Sequence, residues 1–130
     1  MGGIMDFSVP SLPPGINHYY KTTRFGGRYV CKEGVAFKKL VMQHVHFKRV
    51  GAGKRDVKYQ LVLKFSSPNW MTKKGSIHKR AGDIDGFAKC SIDALCEAIY
   101  IDDSAIFELH MYKVSSKEES THFVLSEVPS

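Results

Sequence analysis

Three kinds of feature are scarce or missing in this sequence, and each absence removes a class of protein. Only three cysteines occur among 130 residues, Cys31, Cys90 and Cys96, and they have no paired spacing. Their number indicates free thiols in a reducing compartment and no disulfide framework. No apolar run approaches the roughly 18 residues that a membrane span needs, and no charged segment followed by an apolar core marks a secretory signal. We therefore expect a cytoplasmic protein with no membrane partner.

Carboxylates are also scarce, but only over the first part of the chain. Residues 1–81 contain 16 Lys and Arg against 3 Asp and Glu, a balance of +13, whereas residues 82–130 contain 3 against 10, a balance of −7. Together they give the net charge of +6. A strongly basic surface attracts polyanions, and nucleic acid is the first candidate partner. Solubility alone would explain a net charge of +6, but it does not explain this asymmetry.

Length and periodicity favour a single α+β domain over residues 1–130. A chain of this length can bury a core without disulfides. Apolar residues alternate along 57–65, which predicts a half-buried strand, and they recur at helical spacing along 32–48. Further predicted elements are a strand at 6–9, a helix that opens near Asp83, a strand at 105–112 and a closing strand at 121–128. The order β-α-β-α-β-β indicates a small mixed sheet with helices packed on it.

The acidic part of the chain begins with a stretch, "GDIDGFAKCSIDALCEAIYIDDSAI", that contains five aspartates: Asp83, Asp85, Asp93, Asp102 and Asp103. On an α-helix that opens at Asp83, Asp85 and Lys89 share one face. The Asp-Asp turn after the helix is expected to return towards its start. Converging carboxylates need a proton or a divalent cation, and Mg²⁺ suits an all-oxygen site. Lys89 would then stabilise negative charge in a transition state of phosphoryl chemistry.

The same residues have a simpler interpretation. Asp83 could do no more than cap a helix. Asp85 and Lys89 could form a surface ion pair of little energetic consequence. The Asp102-Asp103 pair could be ordinary turn residues. Spacing alone leaves the catalytic and the structural interpretations open.

Four short motifs resemble those of a known family in type and order. They are P-P-G-I-N-H-Y-Y (13–20), D-I-D-G-F-A-K (83–89), D-A-L (93–95) and D-D-S-A-I (102–106). In these residues the chain resembles the RusA-type Holliday-junction resolvases, or crossover junction endodeoxyribonucleases, of bacteria and their phages. Two departures are visible: Gly86 stands where the family usually has asparagine, and the segment from Asp93 to the Asp pair is one residue shorter.

The resemblance implies a homodimeric endonuclease that depends on Mg²⁺, with Mn²⁺ as a substitute, and that uses no organic cofactor. Such an enzyme binds four-way junction DNA and nicks two opposed strands symmetrically, in a bacterial or phage-infected bacterial cell. A two-fold dimer suits a substrate with two equivalent strands. The matched positions are those of the metal-binding catalytic carboxylates (Asp83, Asp85, Asp103), a supporting metal ligand (Asp102) and the catalytic lysine (Lys89). Asp93 is interpreted as structural.

Two alternatives stay open beside the resolvase hypothesis. The first is a junction- or DNA-binding protein of the same fold with weak or lost cleavage. Gly86 favours it, because a contact of the usual asparagine is lost and glycine disfavours a helix interior by about 1 kcal/mol. The second is a nuclease that acts on other branched DNA.

Two basic segments are candidate DNA contacts. One is the loop before the acidic helix, with Lys73, Lys74, Lys79 and Arg80; the other is the polar loop at 21–28, with Lys21, Arg24 and Arg28. Trp70 either stacks on an opened base or packs against the sheet. Tyr19 and Tyr20 either line the active site or pack a turn.

Overall fold

The computed structural model describes residues 5–47, 56–78 and 82–129. The strands are β1 (Met5–Val9), β2 (Tyr20–Thr22), β3 (Arg28–Val30), β4 (Tyr59–Ser67), β5 (Ile106–Ser115) and β6 (Ser120–Glu127). The helices are α1 (Ile16–Tyr19), α2 (Lys32–Phe47) and α3 (Ala88–Ile99), and 3₁₀ turns lie at Ile84–Phe87 and Asp103–Ala105. None of the helices in these three ranges is both long enough and apolar enough to span a bilayer.

The main sheet has four strands in the order β1-β6-β4-β5. β6 is antiparallel to both of its neighbours, whereas β4 and β5 are parallel. A parallel pair needs a crossover connection, and α3 lies in the connection between β4 and β5. With 12 residues, α3 is about 18 Å long. The acidic stretch is therefore the crossover itself, with one acidic motif before α3 and the other after it.

The core lies between one face of this sheet and the helices. Leu61, Leu63 and Phe65 of β4 are fully buried, as expected when alternate residues of a strand point to one face. The ring of Phe123 on β6 stacks on Phe7 with the ring centroids 4.9 Å apart. On the helix side, Phe123 meets Phe37 of α2 at 6.4 Å. These contacts join β1, β6 and α2 through one aromatic cluster.

The predicted fold class is confirmed: the protein is α+β, with a mixed sheet and helices packed on it. The strands and helices fall close to their predicted positions. The predicted loop at 21–28 is more ordered than expected, because β2 and β3 pair antiparallel around a turn at Gly26, whose φ of +86° suits glycine. The short helix α1 was not predicted. The assignment of residues 1–130 to one domain stays a prediction.

The prediction that an α-helix opens at Asp83 is wrong. Residues Ile84–Phe87 form a 3₁₀ turn, and α3 begins at Ala88. The Gly86 N–H donates to the Asp83 carbonyl at 3.0 Å, which is the i to i+3 bond of this tighter turn. Glycine at position 86 disfavours the α-helical alternative by about 1 kcal/mol relative to alanine.

The three cysteines are free and buried, which agrees with the prediction of free thiols. Cys90 and Cys96 lie on α3, and burial raises the pKa of each thiol to about 12. A thiol with such a pKa stays protonated and unreactive near neutral pH. These cysteines therefore act as small apolar residues that pack α3.

The aromatic cluster predicts a large loss of stability for Phe123→Ala. Removing a fully buried ring should lower the free energy of unfolding by about 3–5 kcal/mol, because it costs transfer energy and leaves a cavity. Phe107→Ala is the matched control, since its ring is 61% exposed; it should change stability by less than about 1 kcal/mol. Urea titrations followed by circular dichroism measure both, and equal losses would contradict the assigned core.

Candidate active site

An ion pair in the first turns of α3 fixes a cation in the candidate site. Lys89 Nζ donates to Asp93 Oδ1 at 3.2 Å, four residues along the helix. The Tyr19 hydroxyl donates to the other oxygen of this carboxylate, Oδ2, at 2.8 Å. The hydrogen bond to Asp93 is the main reason why the pKa of Lys89 is raised, and the negative charge of Asp103 adds to it. Lys89 is therefore a fixed cation near the acidic turn.

The acidic turn after α3 presents two neighbouring carboxylates. Asp102 Oδ1 accepts the Ser104 N–H at 2.9 Å. This bond, the Ser104 hydroxyl and the contact with Asp103 together hold the pKa of Asp102 below its usual value. Asp102 and Asp103 line an open cavity of about 730 Å³, and Asp93 lines it as well. The cavity therefore brings together three of the five aspartates, and the lowered pKa keeps Asp102 ionised near neutral pH.

Asp83 and Asp85 lie at the other end of α3, on the 3₁₀ turn. Both are exposed. Asp83 stands at the N-cap position with extended backbone angles, but its side chain makes no capping hydrogen bond to the described turn. Capping therefore does not account for Asp83. The structure also pairs Lys89 with Asp93 instead of Asp85, so the alternative of an Asp85–Lys89 ion pair is not supported.

A lysine that sequence reasoning missed holds the start of this turn. Lys113 on β5 donates to the carbonyl oxygen of Gly82, the residue before Asp83. Its Nζ also lies 4.7 Å from the centroid of the Trp70 ring, within the range of a cation–π contact. Gly82 has a φ of +85°, which favours glycine. No local motif marks Lys113, because its partners are far away in the sequence.

The described carboxylates do not form a closed metal cage. Among residues 5–47, 56–78 and 82–129, no three His, Cys, Asp or Glu side chains lie close enough together to hold a metal ion. The predicted convergence of the two acidic motifs is thus not seen in this part of the chain. The donor chemistry still suits Mg²⁺, which binds through one or two carboxylates and completes its shell with water and substrate phosphates. Asp102 and Asp103 together meet that requirement.

The predicted DNA contacts are exposed wherever the structure describes them. Lys21, Arg24 and Arg28 lie on the β2–β3 hairpin, and Lys73 and Lys74 lie in the loop after β4. The Arg28 guanidinium stacks over the Tyr20 ring at 4.1 Å. The other two predicted contacts, Lys79 and Arg80, fall outside the described residues. Whether any of these cations contacts DNA stays a prediction.

The two open questions about aromatic residues have different answers. Trp70 is buried, donates from Nε1 to the Phe65 carbonyl at 3.0 Å and lies 5.8 Å from the Phe87 ring. It packs the sheet and is not available to stack on a base. Tyr19 is also buried, but its hydroxyl reaches Asp93 in the candidate site. Tyr19 therefore both packs in the core through its ring and contacts the candidate site through its hydroxyl.

Comparison with known families covers both acidic motifs. A family model described as Endodeoxyribonuclease RusA matches residues 10–124 of the chain. This range contains the four motifs P-P-G-I-N-H-Y-Y, D-I-D-G-F-A-K, D-A-L and D-D-S-A-I in full. No curated protein matches the sequence.

Proposed function

The chain belongs to the RusA family of endodeoxyribonucleases, and we propose that it resolves four-way (Holliday) DNA junctions by paired, symmetric nicks. The observation that carries the proposal is the fixed Lys89 ammonium beside an open acidic cavity, in a chain whose other part is strongly basic. Cations that hold the DNA backbone and acids that hold a metal serve the same substrate. The cell would be a bacterium or a phage-infected bacterium, with the enzyme in its cytoplasm.

The proposed roles of the site residues come from the positions that they share with the family motifs, and the exposure of Asp83 and Asp85 supports them. Asp83, Asp85 and Asp103 would hold Mg²⁺ or Mn²⁺, with Asp102 as a supporting ligand. When bound, a divalent cation polarises the phosphate and lowers the pKa of water. The Lys89 ammonium stabilises negative charge that develops on the phosphate or on the departing oxygen. Because the two acidic motifs lie at opposite ends of α3, each offers its own pair of carboxylates to a cation.

The partner is junction DNA, and we propose that two copies of the chain bind it together. A homodimer presents two equivalent sites to two equivalent strands. The exposed cations of the hairpin and of the loop after β4 contact phosphates on either side of the cut strand. These contacts position the DNA without reading its sequence.

Cleavage of a mobile four-way junction tests the proposed function. With Mg²⁺, the protein should release paired nicked duplexes, and Asp83→Asn or Asp103→Asn should slow this by at least about 100-fold, because each removes charge that holds the cation. Single-turnover gel assays measure the rate. Junction binding in EDTA should persist in both variants, which separates lost chemistry from lost binding. An intact junction after incubation of the wild-type protein with Mg²⁺ and with Mn²⁺ would contradict the proposal.

The hairpin cations predict a change in the salt dependence of binding. Replacing Lys21 and Arg24 with glutamine should weaken junction binding about 10-fold and lower the slope of log K against log salt by roughly 0.9 for each lost contact. Fluorescence anisotropy at several salt concentrations measures both quantities. Lys64→Gln is the matched control, because Lys64 is exposed on β4 between Leu63 and Phe65 and so points away from the helices. Equal slopes for the two variants would remove the hairpin from the DNA-binding surface.

A second candidate function, junction binding with weak or lost cleavage, is favoured by one observation: glycine occupies position 86. A Cβ atom built there would lie 3.7 Å from its nearest neighbour, the Ile16 nitrogen. This is an ordinary contact distance, so a Cβ atom fits at this position. Strong binding in EDTA without nicking after metal is added would select this function.

Under this candidate, Gly86→Asn should raise the nicking rate at least about 10-fold, since one restored hydrogen bond can contribute that much. An unchanged, fast nicking rate in both proteins would exclude the candidate.

A further inference from the structure

We propose that Asp93 is a positioning residue of the nuclease. Its carboxylate holds the Lys89 ammonium in the orientation needed for catalysis, and the Tyr19 hydroxyl in turn fixes this carboxylate. The inference rests on the proposed function in so far as it concerns cleavage. It assigns a role to a residue that sequence alone marks as structural. It also gives a role to Tyr19, which lies in the P-P-G-I-N-H-Y-Y motif.

The geometry uses both oxygens of one carboxylate. Oδ1 of Asp93 accepts from Lys89 at 3.2 Å, and Oδ2 accepts from Tyr19 at 2.8 Å. A carboxylate with a donor on each oxygen cannot rotate without losing one of them. The Asp93 side chain is 19% exposed, against 43% for Lys89. The anchor is therefore the more buried partner, and the lysine is the one that reaches solvent.

Tyr19 is a rigid support for this carboxylate. Its side chain is fully buried, and α2 approaches it so closely that a Cβ atom on Gly34 would lie 3.0 Å from the Tyr19 ring. Burial, followed by the hydrogen bond to Asp93, raises the pKa of Tyr19 far above its usual value. The hydroxyl therefore remains a donor over the whole working range of pH.

A neighbouring ion pair between α2 and α3 differs from the Lys89–Asp93 pair in the exposure of its carboxylate. Lys38 on α2 and Glu97 on α3 approach to 2.6 Å, with side chains that are 23% and 58% exposed, so here the carboxylate is the partner that reaches solvent. An exposed carboxylate is free to change its rotamer and holds its partner only weakly. Asp93 differs because a buried tyrosine 74 residues away in sequence holds its second oxygen.

The negative charges near the Lys89 ammonium include one from the acidic turn, Asp103. Asp93 is its hydrogen-bonded partner, and Asp103 and Tyr20 are the other titratable groups that act on it. Asp103 and Asp93 line the same cavity. A free lysine side chain would sample many rotamers, and fixing one of them before the substrate binds lowers the barrier to reaction. Asp93 thus acts through Lys89.

Asp93→Asn tests this role, because the amide keeps the shape and can still accept from Tyr19. Single-turnover cleavage of a saturating junction should slow by about 30–100-fold, a typical loss when a charged catalytic group is misplaced. Junction affinity should stay within about 2-fold, since phosphate contacts dominate it. Tyr19→Phe should slow cleavage less, by about 5–10-fold, and it keeps the ring that packs against α2. Asp6→Asn, an exposed carboxylate on β1 that pairs with His122, should leave the rate unchanged.

A double-variant cycle separates positioning from an independent effect on the fold. If Asp93 acts only through Lys89, then Asp93→Asn should add nothing to the loss caused by Lys89→Ala. Multiplying losses in the double variant would overturn the inference. So would wild-type cleavage by Asp93→Asn.

An activity-independent measurement keeps the inference distinct from the proposed function. In ¹⁵N-edited NMR of the lysine ammonium groups of the wild-type protein, the Lys89 signal should be shifted from the position of a free lysine. Its ammonium protons should also exchange slowly with water. The signal should move to the position of a free lysine in Asp93→Asn and part of the way in Tyr19→Phe. If the wild-type protein fails to cut junctions, the proposed function fails, and these spectra alone decide on the positioning role; an unchanged Lys89 signal in both variants would refute it.

Discussion

The parallel pairing of β4 with β5 is the constraint on which the rest of the structure depends. Two parallel neighbours cannot be joined by a tight turn, so the chain must cross back over the sheet before it starts β5. α3 makes this crossing and buries its apolar side, with Leu95 and Ile99, on the sheet. The hydrophilic residues of the connection are thereby left at its two ends and on its outer side. The distribution of the aspartates follows from this topology.

The carboxylates and the cations lie on different segments of the structure, and the two sets of charges can therefore have different roles. Carboxylates on a crossover are held by a helix and by two short turns, so they lie on a rigid support. The exposed cations of the hairpin and of the loop after β4 lie on peripheral segments. The hairpin and the loop after β4 can thus bind the backbone of a polyanion, while one of its phosphates approaches the carboxylates of the connection that contains α3. In the proposed metal-dependent nuclease, neither sign of charge alone would be sufficient.

Periodicity was enough to predict the large elements. The alternation in β4 and the apolar stripe of α2 correspond to burial that the structure shows, and the family follows from motifs that are contiguous in the chain. The 3₁₀ turn at Ile84–Phe87 was mispredicted because one glycine outweighed a helical pattern. The Lys113–Gly82 and Tyr19–Asp93 contacts were out of reach, because their partners are 31 and 74 residues apart. Periodicity reports which face of an element is buried, but it does not report which distant side chain meets it.

The anchoring of Asp93 by α1 has a thermal consequence. α1 has only four residues, and the β2–β3 hairpin that follows it has three pairs; segments of this size are marginal on their own. Such segments open locally at a lower free energy than a central sheet. Since the Tyr19 hydroxyl leaves Asp93 whenever α1 opens, the site loses its order before the sheet melts. On warming, we therefore expect cleavage to slow, as it should in Tyr19→Phe, while most of the secondary structure persists.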